Sequence, residues 1–190
     1  LTIAILLLIV VGMIWYVRRD GNNQSLLAYQ SLSNQATSSV PVDDVAVSLD
    51  DSKKTDLLKE EALKIVSRPV LVKILISDSS KNNALVKIEG LIKLIRDNYD
   101  YANAWYDLGA YRATIGDYDG AIDAYKFVNL IRPDDYIGYA NLGDIYGFYL
   151  KNYPLAEESF LKAIQKNPVY TYGYSELATL YENSFDNGQK

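Results

Sequence analysis

Residues 102–168, ANAWYDLGAYRATIGDYDGAIDAYKFVNLIRPDDYIGYANLGDIYGFYLKNYPLAEESFLKAIQKNP, decide the fold, because they state one pattern twice. Trp105, Leu108, Gly109, Gly116, Tyr118, Ala121, Tyr125 and Pro133 return as Tyr139, Leu142, Gly143, Tyr153, Ala156, Phe160 and Pro168. Within each copy the apolar positions sit three or four residues apart, the spacing of a helix face. Small residues (Gly109, Gly143, Ala121, Ala156) mark where two helices approach closely. Trp105, Leu108, Tyr125, Tyr139, Leu142 and Phe160 supply the bulk between them, each worth roughly 1.5–3 kcal/mol when buried. Pro133 and Pro168 end the second helix of each copy and set the path into the next. The second copy carries one extra residue in its turn, around Leu150 to Tyr153, where the first has Ile115 to Tyr118.

The order W-x-x-L-G, turn, A-x-x-x-Y, P resembles the tetratricopeptide repeat, a helix-turn-helix unit of ~34 residues. The resemblance is strong from Ala102 to Pro168 and weaker from Arg68. It implies an all-α, right-handed solenoid of stacked helix pairs. Two repeats are placed at residues 102–135 and 136–170, and a capping helix and tail at 171–190. Tyr174, Leu177, Ala178 and Tyr181 restart the first-helix pattern, and Ser175, Glu176, Thr179, Glu182 and Asn183 give that helix a wet side. A rival reading of the same residues is an array cut inside a longer one.

Upstream, subtracting one period sets Leu71, Ile74 and Leu75 at the positions of Trp105, Leu108 and Gly109, and Ile88, Leu91 and Leu94 at those of Ile122, Tyr125 and Val128. Residues 55–101 are therefore expected to hold an amino-terminal helix capped by Thr55 and a degenerate first repeat turning at Asn82 and Asn83. Val70 to Ile76, VLVKILI, also suits a strand; the flanking spacing favours the helix.

Leu1 to Val17 is uncharged and ends in Trp15, Tyr16, Arg18 and Arg19. At 1.5 Å per residue it spans about 26 Å, close to a ~30 Å hydrocarbon core, with aromatic and basic residues at headgroup level. Residues 1–19 are expected to be a single-pass transmembrane helix. A secretory signal fits less well, since its apolar core is shorter and a small-x-small cleavage site follows it. Asp20 to Lys54 lacks helical spacing and is expected to be a flexible linker (20–54) reaching roughly 30–35 Å. Arg18 and Arg19 alone favour a cytoplasmic carboxyl side. A short anchor with a long acidic passenger favours an extracytoplasmic one, which is the expectation adopted.

The bulk numbers narrow the function. With no Cys and no His, the chain lacks thiolate and imidazole chemistry. Net charge is −5, and setting aside the two arginines of residues 1–19 leaves −7 for the remainder. An acidic body disfavours nucleic acid. The acidic pairs Asp43-Asp44, Asp50-Asp51 and Asp134-Asp135 lack the frame of a calcium loop and read as solvated or capping residues. No nucleophile elbow, phosphate loop or metal motif occurs, so no enzyme activity, cofactor or metal is expected.

The resemblance implies a concave groove lined by the first helices. Carried over by register, its positions are Asn103, Tyr106, Ala110, Ala113 and Thr114, then Ile137, Ala140, Asn141, Asp144 and Phe148, then Tyr172, Ser175 and Thr179. Members that grip a terminal carboxylate place Lys and Arg there; this chain has Tyr106, Ala110, Ala140, Asp144 and Phe148 instead. With Asp107, Asp144 and Glu176 nearby, the expected ligand is a neutral or basic protein segment. The expected function is a membrane-anchored scaffold for protein binding. The alternatives are a self-association module, giving a homo-oligomer, or the accessory repeat region of a larger enzyme such as a transferase.

Overall fold

The computed structural model describes the backbone of residues 51–187 and the side chains of residues 51–182. The expected transmembrane helix 1–19 and nearly all of the expected linker 20–54 lie outside the described residues. Seven helices and no strand are found among those described: α1 (Asp51–Val66), α2 (Asp78–Asp97), α3 (Ala102–Thr114), α4 (Tyr118–Ile131), α5 (Tyr136–Asp144, prolonged by a π-helical turn Ile145–Tyr149), α6 (Tyr153–Lys166) and α7 (Thr171–Asn187). None of them is long and apolar enough to cross a membrane.

Local chemistry sets the helix starts. Asp117 accepts from Gly120 N–H at the head of α4, Asp135 from Ile137 N–H at α5, and Asn152 from Leu155 N–H at α6. Each satisfies a donor that the first turn leaves open. The second helices stop at Ile131 and Lys166, with Pro133 and Pro168 two residues beyond.

Each helix from α2 onward packs against the next, so α3–α4 and α5–α6 are consecutive helix-turn-helix units in one register. The buried side chains form two clusters. One joins Ile65 and Val66 of α1, Ile88 and Ile95 of α2, Trp105 and Leu108 of α3, and Phe127 and Val128 of α4. The other joins Tyr125 of α4, Leu142 and Ile145, Phe160 of α6, and Leu177 and Leu180 of α7. Helix α4 belongs to both, because its apolar residues wrap most of its circumference. Trp105 and Phe127 lie with ring centroids 4.3 Å apart, and the indole N–H donates to Tyr99 O.

The region before Ala102 departs from the expected first repeat in three ways. Helix α1 begins at Asp51, so Thr55 is inside it rather than capping it, and residues 51–54 leave the expected linker. Asn82 and Asn83 are inside α2 and make no turn. Val70 to Ile76, expected as a helix with a strand as its rival, is neither.

The cause of the third departure is visible. Pro69 disfavours helical geometry at Arg68. Beyond it the chain is held across the α3–α4 turn: Lys73 N–H donates to Ile115 O at 2.9 Å, and Arg68 O accepts from Arg112 Nη2. Arg68 reaches Asp123 and Asp119, and Lys73 reaches Asp119 at 2.9 Å. These contacts tie the strap to the next unit, and α1 packs on α2 and α4. The upstream region thus braces α3–α4 without repeating it.

Candidate functional site

The side chains that gather on the α5–α7 side of the structure are acidic and phenolic. Asp144 closes the last α-helical turn of α5, just before the π-helical turn, and its Oδ1 is buried without a hydrogen-bond partner. Burial, and after it the charge of Glu176 on α7, push its carboxyl from an ordinary 3.8 up to about 6. The Asp144 charge is felt in turn by the phenols of Tyr125, Tyr170 and Tyr172.

These rings form a sequence. Tyr136, at the start of α5, lies 4.8 Å from Tyr170, and Tyr170 lies 6.0 Å from Tyr172, centroid to centroid. Burial, then Asp144, Tyr136 and Glu176, raise Tyr170 to about 12. Burial and the neighbouring Glu176 carboxylate also raise Tyr172. Tyr125, Tyr170 and Tyr172 are therefore neutral donors across the physiological range, beside two carboxylates. The arrangement offers acceptors, ring faces and hydroxyls, which suits a cation or an amide donor.

Tyr125 links this face to the interior. Its ring is buried against Gly109, where an added Cβ would lie 2.5 Å from a ring carbon. Burial raises its hydroxyl, followed by Asp144, Tyr149 and Asp107. A residue that fills the core between α3 and α4 thus also senses the acidic face. Tyr106 is committed elsewhere, because its hydroxyl donates to Asp135 Oδ2 at 2.7 Å. Burial and that bond raise its pKa.

The remaining groove positions fall as follows. Asn103, Ala110, Phe148, Tyr172 and Ser175 are exposed, Ala113 and Asn141 are half-buried, and Ala140 is buried. Ser175 Oγ donates to Tyr172 O and Thr179 Oγ1 to Ser175 O, so both hydroxyls are turned onto their own helix. Asp144 and Tyr172 are brought together with Glu176. Ala113 packs against the second core cluster.

Sequence reasoning missed Tyr136 and Tyr170 and gave Tyr125 a packing role alone. A signal was present: Tyr101 and Tyr170 hold the same position in the repeat, just before a first helix, and Tyr136 stands one position later in the unit between them.

No protein-family model and no curated protein matches the sequence. Among solved structures the chain is similar to one from "CopN-Scc3 complex", at 17% identity over 80% of this chain and 84% of that one, with a TM-score of 0.45. At that level nothing carries over to this chain.

Proposed function

We propose that the described helices are a tetratricopeptide-type array serving as a non-enzymatic adaptor. It is held to a membrane by residues 1–19, with the array on the extracytoplasmic side, and it binds a neutral or basic segment of another protein. The observation that carries this reading is the Asp144 carboxylate: half-buried, with one oxygen lacking a partner, beside Glu176 and flanked by Tyr170 and Tyr172. A buried acceptor without a donor costs free energy. A Lys or Arg side chain laid over the tyrosine rings supplies both the charge and the donors. The tandem helix-turn-helix units support the fold side of the reading, and the uncharged Leu1–Val17 stretch supports the anchor.

Two measurements test it. In capture by the full chain, extended peptides bearing Lys or Arg are retained and their Asp/Glu counterparts are not; Asp144→Lys and Tyr172→Ala each abolish retention while circular dichroism stays helical. Retention that survives both changes moves the binding surface elsewhere.

The second measurement is the pH dependence. A carboxyl whose folded pKa exceeds its unfolded value holds its proton more tightly when folded. The free protein therefore loses stability as pH rises from about 4 to about 6 and levels off above that. Binding of a basic peptide runs the other way, strengthening over the same window as Asp144 ionises. Asp144→Asn flattens both curves; a stability profile unchanged by that substitution would assign the titration to another group.

A further inference from the structure

The strap between α1 and α2 reverses the usual order of a loop. Its charged side chains are turned onto the array: Arg68 reaches Asp119 and Asp123, and Lys73 reaches Asp119. Its backbone is pinned as well, by the Lys73 N–H bond to Ile115 O and by the Arg112 bond to Arg68 O. Val70 and Ile76, at its two ends, pack against the first core cluster. Between them Leu71, Val72 and Leu75 are exposed, Leu75 completely. Apolar side chains scattered singly over a surface need no explanation, but a firmly held loop that directs three of them into water does.

The exposed residues continue past the strap. Ile74 lies against Gly116 in the α3–α4 turn, where an added Cβ would meet its Cγ2 at 2.7 Å. Two residues on, the Tyr118 ring lies 4.8 Å from the Tyr149 ring at the α5–α6 turn, centroid to centroid. Tyr149 is exposed, as are its neighbours Phe148 and Leu150, and an exposed Lys151 follows. These contacts join the strap and the two within-unit turns into one edge that carries aliphatic side chains, aromatic rings and the cations Lys73 and Lys151. The turn between the units, residues 132–135, instead carries Arg132, Asp134 and Asp135.

Side chains that stand out from turns enter a partner rather than receive one. The mixture on this edge suits the headgroup region of a bilayer: aliphatic side chains sink towards the acyl chains, phenol rings sit at headgroup level, and lysines meet anionic lipid. Irregular backbone, whose N–H and C=O groups need water, stops the edge at that depth. We propose that this edge, led by Leu71, Val72 and Leu75 with Tyr149 and Leu150, rests on the lipid surface to which the chain is attached. The attachment itself, through residues 1–19, is taken from the reading above. Chain length permits the contact: residues 20–50, expected as a linker, reach roughly 30 Å, and α1, with 16 residues or about 24 Å, leads from Asp51 to the strap. A domain already tethered at a surface needs little further affinity to dock on it.

The chain has no Cys, so a single introduced thiol can carry a fluorophore without background. The test places the full chain in vesicles of phosphatidylcholine and phosphatidylglycerol, a fraction of the lipid bearing a headgroup-level nitroxide quencher. Labels at Leu75→Cys and Tyr149→Cys are expected to be quenched several-fold more than a label at Val169→Cys, which is exposed between α6 and α7. Leu71→Asp combined with Leu75→Asp is expected to remove the quenching at Tyr149→Cys while circular dichroism stays helical. Equal quenching at all three sites, in a chain that floats with the vesicles, overturns the docking and leaves the attachment standing; a chain that does not float overturns both. Labels at Leu75 and Tyr149 that are shielded from a water-soluble quencher yet untouched by the lipid-borne one also overturn it, since the edge is then covered by protein.

Discussion

The hairpins α3–α4 and α5–α6 share a register but close their turns differently. In the first, Asp117 N–H donates back to Arg112 O; in the second, Asn152 N–H donates back to Tyr146 O, across one more residue. The second hairpin absorbs that extra residue by loosening the end of α5 into the π-helical turn, where Leu150 N–H bonds to Ile145 O. The first keeps its end tight and fills it with charge, as Arg112 and Asp117 form a fully buried ion pair. An insertion that leaves the flanking helices in register is thus taken up as local unwinding, and the core positions around it stay where they were.

The largest expected effect breaks the first hairpin and leaves the second alone. Arg112 Nη1 pairs with Asp117 and Nη2 donates to Arg68 O, so one guanidinium joins the strap, α3 and the cap of α4. Gly120 is glycine because a Cβ there would meet that guanidinium and the Asp117 carboxylate. Arg112→Met strands a buried carboxylate and is expected to cost about 3–5 kcal/mol in urea unfolding. Adding Asp117→Asn, which keeps a capping acceptor, is expected to recover much of the loss. Tyr146 occupies the same position in the second hairpin with no charge to neutralise, so Tyr146→Phe should fall well below the Arg112 cost. Comparable losses at both sites would mean that the ion pair is not what distinguishes the two ends.

A smaller effect tests what the hairpins share. Gly109→Ala pushes a Cβ into Tyr125, and Gly143→Ala pushes one into Phe160, at nearly the same distances. Each is expected to destabilise by about 1–3 kcal/mol through overpacking, against a helix-propensity gain of roughly 1 kcal/mol. Ala178→Gly in α7 tests the reverse change where no ring presses. It is expected to destabilise by roughly 0.5–1 kcal/mol from propensity alone. A stabilised Gly109→Ala, read by thermal melting, would show that the Tyr125 ring has room to move.

How much of this was legible in the sequence depended on how local the cause was. The two hairpins and the site of the insertion could be read because Gly, Ala, ring and Pro spacings are set by contacts between adjacent helices. The strap could not, since what holds the chain around Val70–Ile76 in place is Ile115 O, Asp119 and Asp123, 40 or more residues downstream. The burial of Arg112 is likewise set by partners outside its own helix, Asp117 and Arg68 O, and only the fold shows it. At the candidate site, Asp144 and Tyr172 were placed by register, and Glu176 was read as a nearby acid on the wet side of the last helix. Tyr136 and Tyr170 were not, because they stand at helix starts that the repeat pattern treats as connectors.

The smallest effect returns to the turns themselves. Both hairpins need a left-handed residue where the first helix ends: the first uses Gly116 at φ +78° and the second Lys151 at φ 53°. A residue with a Cβ is strained there by roughly 1–2 kcal/mol, whereas glycine is not, although glycine gives up more freedom on folding. Lys151→Gly is therefore expected to stabilise by about 0.5–1 kcal/mol, seen as a higher urea midpoint with an unchanged slope. Gly116→Ala moves the other way and by more, since its Cβ would also lie 2.7 Å from Ile74 of the strap. If Lys151→Gly proves neutral, the π-helical turn before it is already relaxing the strain, and the looser end of α5 is what lets a lysine stand where the first hairpin requires glycine.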